Sequence, residues 1–169
     1  AAVQEGACII NDISSGDLDP DMFGTVARLN VPYIAMHMRG TPMNMNQHTH
    51  YDNLIKEIVD FFHKKVEDLH KHGVKDVIID PGFGFSKTVG QNFELLNSLD
   101  YFGILGKPVM AGLSRKSMIW KTLAVNPDDA LNGTTSVNTI ALLKGVSILR
   151  VHDVRPAVEA VKLVMALKS

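Results

Sequence analysis

One cysteine, Cys8, is all that the 169 residues contain, so no disulfide can form within the chain, and a reducing, cytoplasmic setting is expected. Charge of one sign is missing too. Seventeen basic against eighteen acidic side chains leave the chain near neutral, and without a basic stripe nucleic acid is not an expected partner. No apolar run approaches the ~20 residues of a membrane-spanning helix, so no membrane partner is expected either. Residues 1–6 lack the charged and apolar regions of a signal peptide. They also lack an initiator Met and an upstream N-cap, and read as the last turn of a helix stopped by Gly6. The chain is expected to begin inside an element, as a fragment does. Two phosphate-binding signatures are absent. Residues 11–16 do not form the glycine fingerprint of a dinucleotide fold, and Lys87 follows Ser86 where a P-loop requires glycine.

What the chain does have is a series of short apolar runs, each ending in chemically capable residues. Ile9 and Ile10 lead to Asn11 and Asp12, and residues 33–36 lead to His37 and Arg39. Residues 77–79 lead to Asp80, then Pro-Gly-Phe-Gly-Phe and Ser86-Lys87; residues 109–111 lead to Ser114, Arg115 and Lys116; residues 147–149 lead to Arg150, His152 and Asp153. Polar groups at the C-terminal ends of successive buried strands are how a parallel α/β enzyme assembles one site from distant positions. Strands are expected over residues 7–10, 33–36, 77–79, 108–111 and 146–149.

Helical patterns fill the gaps. Asp19 and Pro20 are expected to open a short helix carrying Met22, Phe23, Val26 and Leu29. Leu54, Ile55, Ile58, Val59, Phe62, Val66 and Leu69 form one long stripe that Gly73 ends. Further helices are expected near residues 93–99, over 116–123, from Asn126 and Pro127 towards Leu143, and after Pro156. Residues 40–50 show no period and read as a mobile loop. About five βα units cannot close an eight-stranded barrel, so the chain is either an open doubly wound sheet or a (β/α)8 TIM barrel lacking its first three units. The truncated-looking start favours the partial barrel.

Asp80, turned out of its strand by Pro81-Gly82, can accept two hydrogen bonds from a planar guanidine-like edge. Gly82 and Gly84 permit close backbone approach, while Phe83 and Phe85 suit either core or a stacking face. The Ser114–Ser117 turn offers backbone N–H groups and the ammonium of Lys116 to an anion. Arg150 and His152 share a strand face and suit a phosphate group. His37 and Arg39 are expected behind the site, and Met36 on its wall. His48 and His50 have metal-compatible spacing but no evident carboxylate partner, which argues against a metal. His63, His70 and His72 belong on the wet side or end of the long helix.

Taken in order, residues 11–14, 36–42 (Met-His-Met-Arg-Gly-Thr-Pro), 80–85 (Asp-Pro-Gly-Phe-Gly-Phe), 112–117 (Gly-Leu-Ser-Arg-Lys-Ser) and 150–153 (Arg-Val-His-Asp) resemble the dihydropteroate synthase family, pterin-binding enzymes of folate biosynthesis. The resemblance spans the chain and implies a single incomplete barrel domain over residues 1–169, supplying strands four to eight. It implies a transferase that joins 6-hydroxymethyl-dihydropterin pyrophosphate to para-aminobenzoate, releasing pyrophosphate. By the same resemblance Asn11 and Asp80 bind the pterin edge, Ile13 and Met36 wall the pocket, and Lys116 meets the pterin carbonyl side. Arg150 and His152 hold pyrophosphate; Phe85 and Ser114, beside Gly112, receive para-aminobenzoate. Lys116, Arg150 and His152 are the catalytic set. Mg²⁺ is the implied cofactor, with its ligand in a segment not represented here; no metal ligand is assigned. The resemblance further implies a homodimer through the last helices, sulfonamide inhibition, and an inactive 169-residue chain with an exposed sheet edge. Ser86 stands where many relatives carry glycine, and is expected to touch no proposed contact. A pterin-binding methyltransferase and a non-catalytic pterin-binding domain are the rival readings.

Overall fold

The computed structural model describes residues 2–168 (of Lys168, the backbone alone). Five strands, β1 (Ile10–Asp12), β2 (Tyr33–Met36), β3 (Val77–Asp80), β4 (Met110–Ala111) and β5 (Ile148–Leu149), alternate with helices. β1, β2 and β3 pair in parallel, as do β4 and β5, and an isolated parallel bridge from Ile79 to Val109 joins the two groups. The strands therefore follow chain order like staves. That is the wall of a partial (β/α)8 barrel, with β1 and β5 as its edges among the described residues.

The helices are α1 (Met22–Leu29), α2 (Leu54–Lys71), α3 (Val89–Asn97), α4 (Ser117–Leu123), α5 (Leu131–Leu143) and α6 (Val154–Lys168). α2 begins where the Asn53 side chain accepts from Lys56 N at 3.0 Å, and Gly73 turns the chain away at φ +90°. Its stripe buries Leu54, Ile58, Phe62 and Leu69. Each such side chain removed from water contributes about 1.5–3 kcal/mol. α3 is held by a capping box between Thr88 and Gln91.

Strand parity creates two apolar layers. Tyr33, Ala35, Val77, Ile79, Val109 and Ala111 face outward into a core with α2, α3 and α4. Ile34, Ile78 and Met110, with Ile148, face the opposite way and fill the barrel interior. One pairing step further along, that inner face carries Met36, Asp80, Gly112 and Arg150.

Some boundaries differ from the sequence reading. The apolar stretch 7–10 pairs only from Ile10 onward, because Ile10 N reaches Pro32 O at 3.0 Å and the ladder then runs through Asn11 and Asp12. Asp19 caps a turn, accepting from Asp21 N at 3.0 Å, rather than the helix itself. The segment after Asn126 splits: Asp129 N and Ala130 N bond three residues back, making a 3₁₀ turn over Pro127–Asp129 before α5. α6 starts at Val154, with Pro156 inside its first turn. The 40–50 loop contains a 3₁₀ turn at Met45–Gln47 and ties Asn44 Oδ1 to Thr41 N at 2.7 Å.

Candidate functional site

Asp80 ends β3 facing the barrel interior. It is 1% exposed, and one carboxylate oxygen accepts from Gly82 N at 2.9 Å. Burial raises its pKa, against the pull of that N–H and of the Arg150, Lys116 and Lys87 charges. A carboxylate kept short of water and facing cations gains much by accepting a donor edge from a ligand.

Above it the next loop closes in. Lys116, half-buried, places its Nζ 4.5 Å from the Phe85 ring centroid. Burial, the Arg150 charge and the opposing attraction of Asp80 act on it, with a net lowering of its pKa. A Cβ on Gly84 would sit 3.1 Å from Lys116 Cδ, so the bare backbone there is what admits the lysine stem. Gly112 does the same for Arg150, whose Nη2 lies 2.7 Å from where a Cβ would be. Phe83, by contrast, is core at 1% exposure. The two phenylalanines thus divide: Phe83 is core, and Phe85 lies under the Lys116 ammonium.

Gly112, Ser114, Lys116, Arg150, Val151 and His152 line a cavity of ≈ 360 Å³. Ser114 Oγ accepts from His152 N at 3.3 Å and lies 2.9 Å from His152 Nδ1. With the hydroxyl proton directed at Nδ1, the imidazole carries its proton on Nε2, free to donate to an anion. The serine hydroxyl therefore couples the β4–α4 loop to the end of β5.

Arg115 is a functional support that the sequence reading missed. It adopts φ +55°, points away from the cavity, and makes paired bonds to Asp153 at 3.0 and 3.2 Å and one to Asp128 at 3.1 Å. Its N–H goes to Thr134 Oγ1 and that of Lys116 to Leu113 O, both at 3.1 Å. The backbone amides of Arg115 and Lys116 are consequently engaged within the protein, while Ser114 and Lys116 line the cavity. The only local signal for Arg115 was a basic residue just before a helix, and its charge is met by carboxylates rather than by a ligand.

Other expected residues are less closely held. Asn11 is exposed on β1, on the same sheet face as Ile34 and Met36. Ile13 lies half-buried in the turn beyond Asp12 and does not line the cavity. Met36 is buried beside Asp80 in the register and is not among the residues that line the cavity. Arg39 turns outward to Glu57, to the His50 carbonyl and over the Tyr51 ring at 3.9 Å. Ser86 touches no proposed substrate contact, as expected, yet it is structural. It is fully buried at φ +47°, its Oγ accepts from Arg39 N at 3.0 Å, and its carbonyl accepts from Tyr51 Oη at 3.0 Å. It fastens the β3–α3 loop to the β2–α2 loop. Asp12 also does structural work, accepting from Ser14, Gly16 and Tyr33 at 2.7–2.8 Å. Burial alone would raise its carboxyl; the Tyr33 and Ser14 bonds and the Gly16 amide outweigh burial and hold it low. His50 does have a carboxylate neighbour, Asp52 at 3.4 Å, but both side chains stand in solvent.

Among the described residues no three His, Cys, Asp or Glu side chains converge as metal ligands. A rim of lysine, arginine and histidine does not by itself fit a dication; it fits an anion, while Asp80 beneath fits a planar donor edge. Fold and rim together define a partial (β/α)8 barrel with a cationic, anion-suited rim above a buried carboxylate.

The chain belongs to a specific family of that class: the family described as pterin binding enzyme matches residues 1–152. It is 37% identical over 166 residues to dihydropteroate synthase of Escherichia coli K12, and 39% identical over 169 residues to that of a Synechocystis species. Each alignment takes in nearly all of this chain (97% and 98%) but 58% of the relative, so the chain spans somewhat under two thirds of their length. The fold matches a Yersinia pestis dihydropteroate synthase in a sulfonamide drug complex at TM-score 0.95 and 36% identity, covering 99% of this chain and 61% of that one. It matches the Thermus thermophilus enzyme in complex with 6HMPPP at TM-score 0.94 and 37% identity, covering 99% and 67%.

Proposed function

We propose that these residues form the pterin and pyrophosphate side of a dihydropteroate synthase, which joins 6-hydroxymethyl-dihydropterin pyrophosphate to para-aminobenzoate. The observation that carries the reading is that Lys116, Arg150 and His152 line one cavity, while Asp80 is buried at the end of β3 on the same inner face as Arg150. Asp80 accepts from the amino-pyrimidine edge, with Asn11 completing that edge from β1 and Ile13 and Met36 as walls. Lys116 donates to the pterin carbonyl. Arg150 and the Nε2–H of His152 take the pyrophosphate.

The chemistry follows from charge. As the methylene C–O bond breaks, its electron pair leaves on the pyrophosphate oxygen, where Arg150 and His152 stabilise the developing charge. The arylamine nitrogen then forms the C–N bond and loses a proton to solvent. It needs orientation against Phe85 and Ser114 more than it needs a base. Mg²⁺ enters the proposal as a companion of the pyrophosphate rather than as an ion of these residues, which supply it no cluster of ligands. The proposal includes one barrel domain over residues 1–169, a cytoplasmic setting that the lone Cys8 suits, and sulfonamides as competitors for para-aminobenzoate. It includes a homodimer through the last helices, which the exposure of Leu163, Met165 and Leu167 on α6 supports. Among the described residues no helix is long and apolar enough to cross a membrane.

The test is pyrophosphate release that requires both substrates, in protein containing this segment, compared with Arg150→Ala. The variant should lose at least about a hundredfold in kcat/KM. Methyl transfer from a methylated folate, or pterin binding indifferent to pyrophosphate, would overturn the reading. By the same proposal the 169 residues alone do not turn over, and activity of that chain would overturn this part.

A further inference from the structure

The proposed reaction makes no use of Lys87, yet this lysine is 8% exposed beneath the loop that carries Phe85. Its Nζ lies 3.1 Å from each of three acceptors: the carbonyls of Gly82 and Phe85, and Nδ1 of His37 at the end of β2. An ammonium has three N–H donors and no acceptor, so three partners saturate it. The arrangement also assigns His37. Nδ1 accepts, the ring proton sits on Nε2, and the imidazole packs against Tyr51, Phe61 and Phe62.

The two carbonyls bracket the ligand-facing turn. Gly82 is the residue whose N–H holds Asp80, and Phe85 is the ring beneath Lys116. Ser86, in the left-handed region, folds the chain back so that Lys87 passes under its own loop. From the opposite side Asn92 Oδ1 accepts from Gly84 N at 2.7 Å while its amide nitrogen donates to Lys87 O at 3.3 Å and Thr88 O at 2.7 Å. The turn thus has two internal anchors, one amide and one cation. An apolar residue of Lys87's length would leave the Gly82 and Phe85 carbonyls without this donor, a cost that side chains serving only as filler do not carry.

We propose that Lys87 is a positioning residue, which sets the conformation of residues 82–85 and so places Phe85 beneath Lys116 without itself touching substrate. Its effect on ligands rests on the function proposed above; its effect on the loop does not. The charged and titratable groups around it are Asp80 on β3, His37 and Arg39 after β2, and Lys116 at the start of α4. Burial, opposed by Asp80 and assisted by Arg39 and Lys116, pushes the ammonium down to about 7. Burial and the Lys87 and Arg39 charges hold His37 well below its usual range, so the imidazole stays neutral while the lysine titrates. The anchor should consequently loosen as pH rises through neutrality.

The test is NMR of the Gly84 amide and Phe85 ring in the parent chain, Lys87→Met and Lys87→Gln. In the parent these signals should titrate between about pH 6 and 8 together with Lys87 Nζ. K87M should shift them at low pH and abolish the titration; K87Q, with two N–H donors, should restore part of the parent position. Signals unchanged in both variants overturn the proposal, and if K87M does not fold, K87Q and the parent titration decide it. Addition of 6-hydroxymethylpterin separates the two readings: binding should weaken about tenfold in K87M. A parent that binds no pterin overturns the proposed function alone. A parent that binds, with K87M equal to it and its loop signals unmoved, overturns the positioning role alone.

Discussion

Replacing Gly112 by alanine adds one methyl group to the barrel interior, and its effects on folding and on binding should separate. The new Cβ would lie 2.7 Å from Arg150 Nη2, 3.1 Å from Nε and 3.3 Å from Cζ, where ordinary contact begins at 3.4 Å. No backbone atom stands among these nearest neighbours, so the guanidinium swings aside by several tenths of an ångström and the fold survives. The stability cost should fall at the low end of overpacking, about 1 kcal/mol. By the proposed function, displacing Arg150 removes at least one charge-assisted hydrogen bond to pyrophosphate, worth about 1.5–3 kcal/mol, or roughly ten- to 150-fold in affinity. Calorimetric titration with pyrophosphate, beside thermal unfolding of the same samples, reads both quantities. In an Arg150→Ala background the Gly112 substitution should have no further effect on affinity, because the pair acts through one contact. Unchanged pyrophosphate affinity in G112A, with the fold intact, would refute the placement of Arg150 over the cavity.

Gly82→Ala should behave oppositely: at φ +73° its Cβ would meet the His37 carbonyl oxygen at 2.0 Å, and urea unfolding should show a loss of about 2–5 kcal/mol. Asp12→Ala should cost about 1–2 kcal/mol at pH 7 by stranding the Tyr33 hydroxyl and the Ser14 and Gly16 amides. Since the folded-state pKa of Asp12 is lowered, that contribution exists above the usual aspartate range and disappears as pH falls through the lowered value, so the parent and variant curves should converge in acid. Lys116→Met should weaken pterin binding about tenfold. Because burial lowers the Lys116 pKa, the parent gains stability as pH rises through the lowered value towards the usual lysine range, and the Met variant should lack this gain in its unfolding curves.

Much of the site was legible because it follows strand parity. Residues two apart on a strand share a face, so Met36 follows Ile34, Asp80 follows Ile78, and Arg150 follows Ile148 onto the interior side. Apolar runs marked β2 and β3 well, since both are buried along their length. They misplaced β1, because hydrophobicity marks neither pairing nor burial at this edge: Ile9 is 45% exposed and outside the ladder, while the polar Asn11 and Asp12 join it. The supports were not legible. Lys87 was tested only against a phosphate loop, and nothing local reveals that its three acceptors lie in two separate loops. No role for Arg115 was legible beside Lys116, because its partners, Asp128 and Asp153, come from beyond α4 and beyond β5. Tertiary partners decide the role of a charged side chain, and spacing along the chain does not contain them.

The central claim is that a desolvated Asp80 carboxylate, poised under cations, waits for the donor edge of a pterin. Titrating 6-hydroxymethylpterin into the parent chain and into Asp80→Asn, with thermal unfolding of both without ligand, tests it most directly. Because burial raises the Asp80 pKa, ionisation costs stability as pH rises through that value, so D80N should unfold at a higher temperature than the parent at pH 7 while binding pterin at least about a hundredfold more weakly. Pterin affinity preserved in D80N would contradict the account.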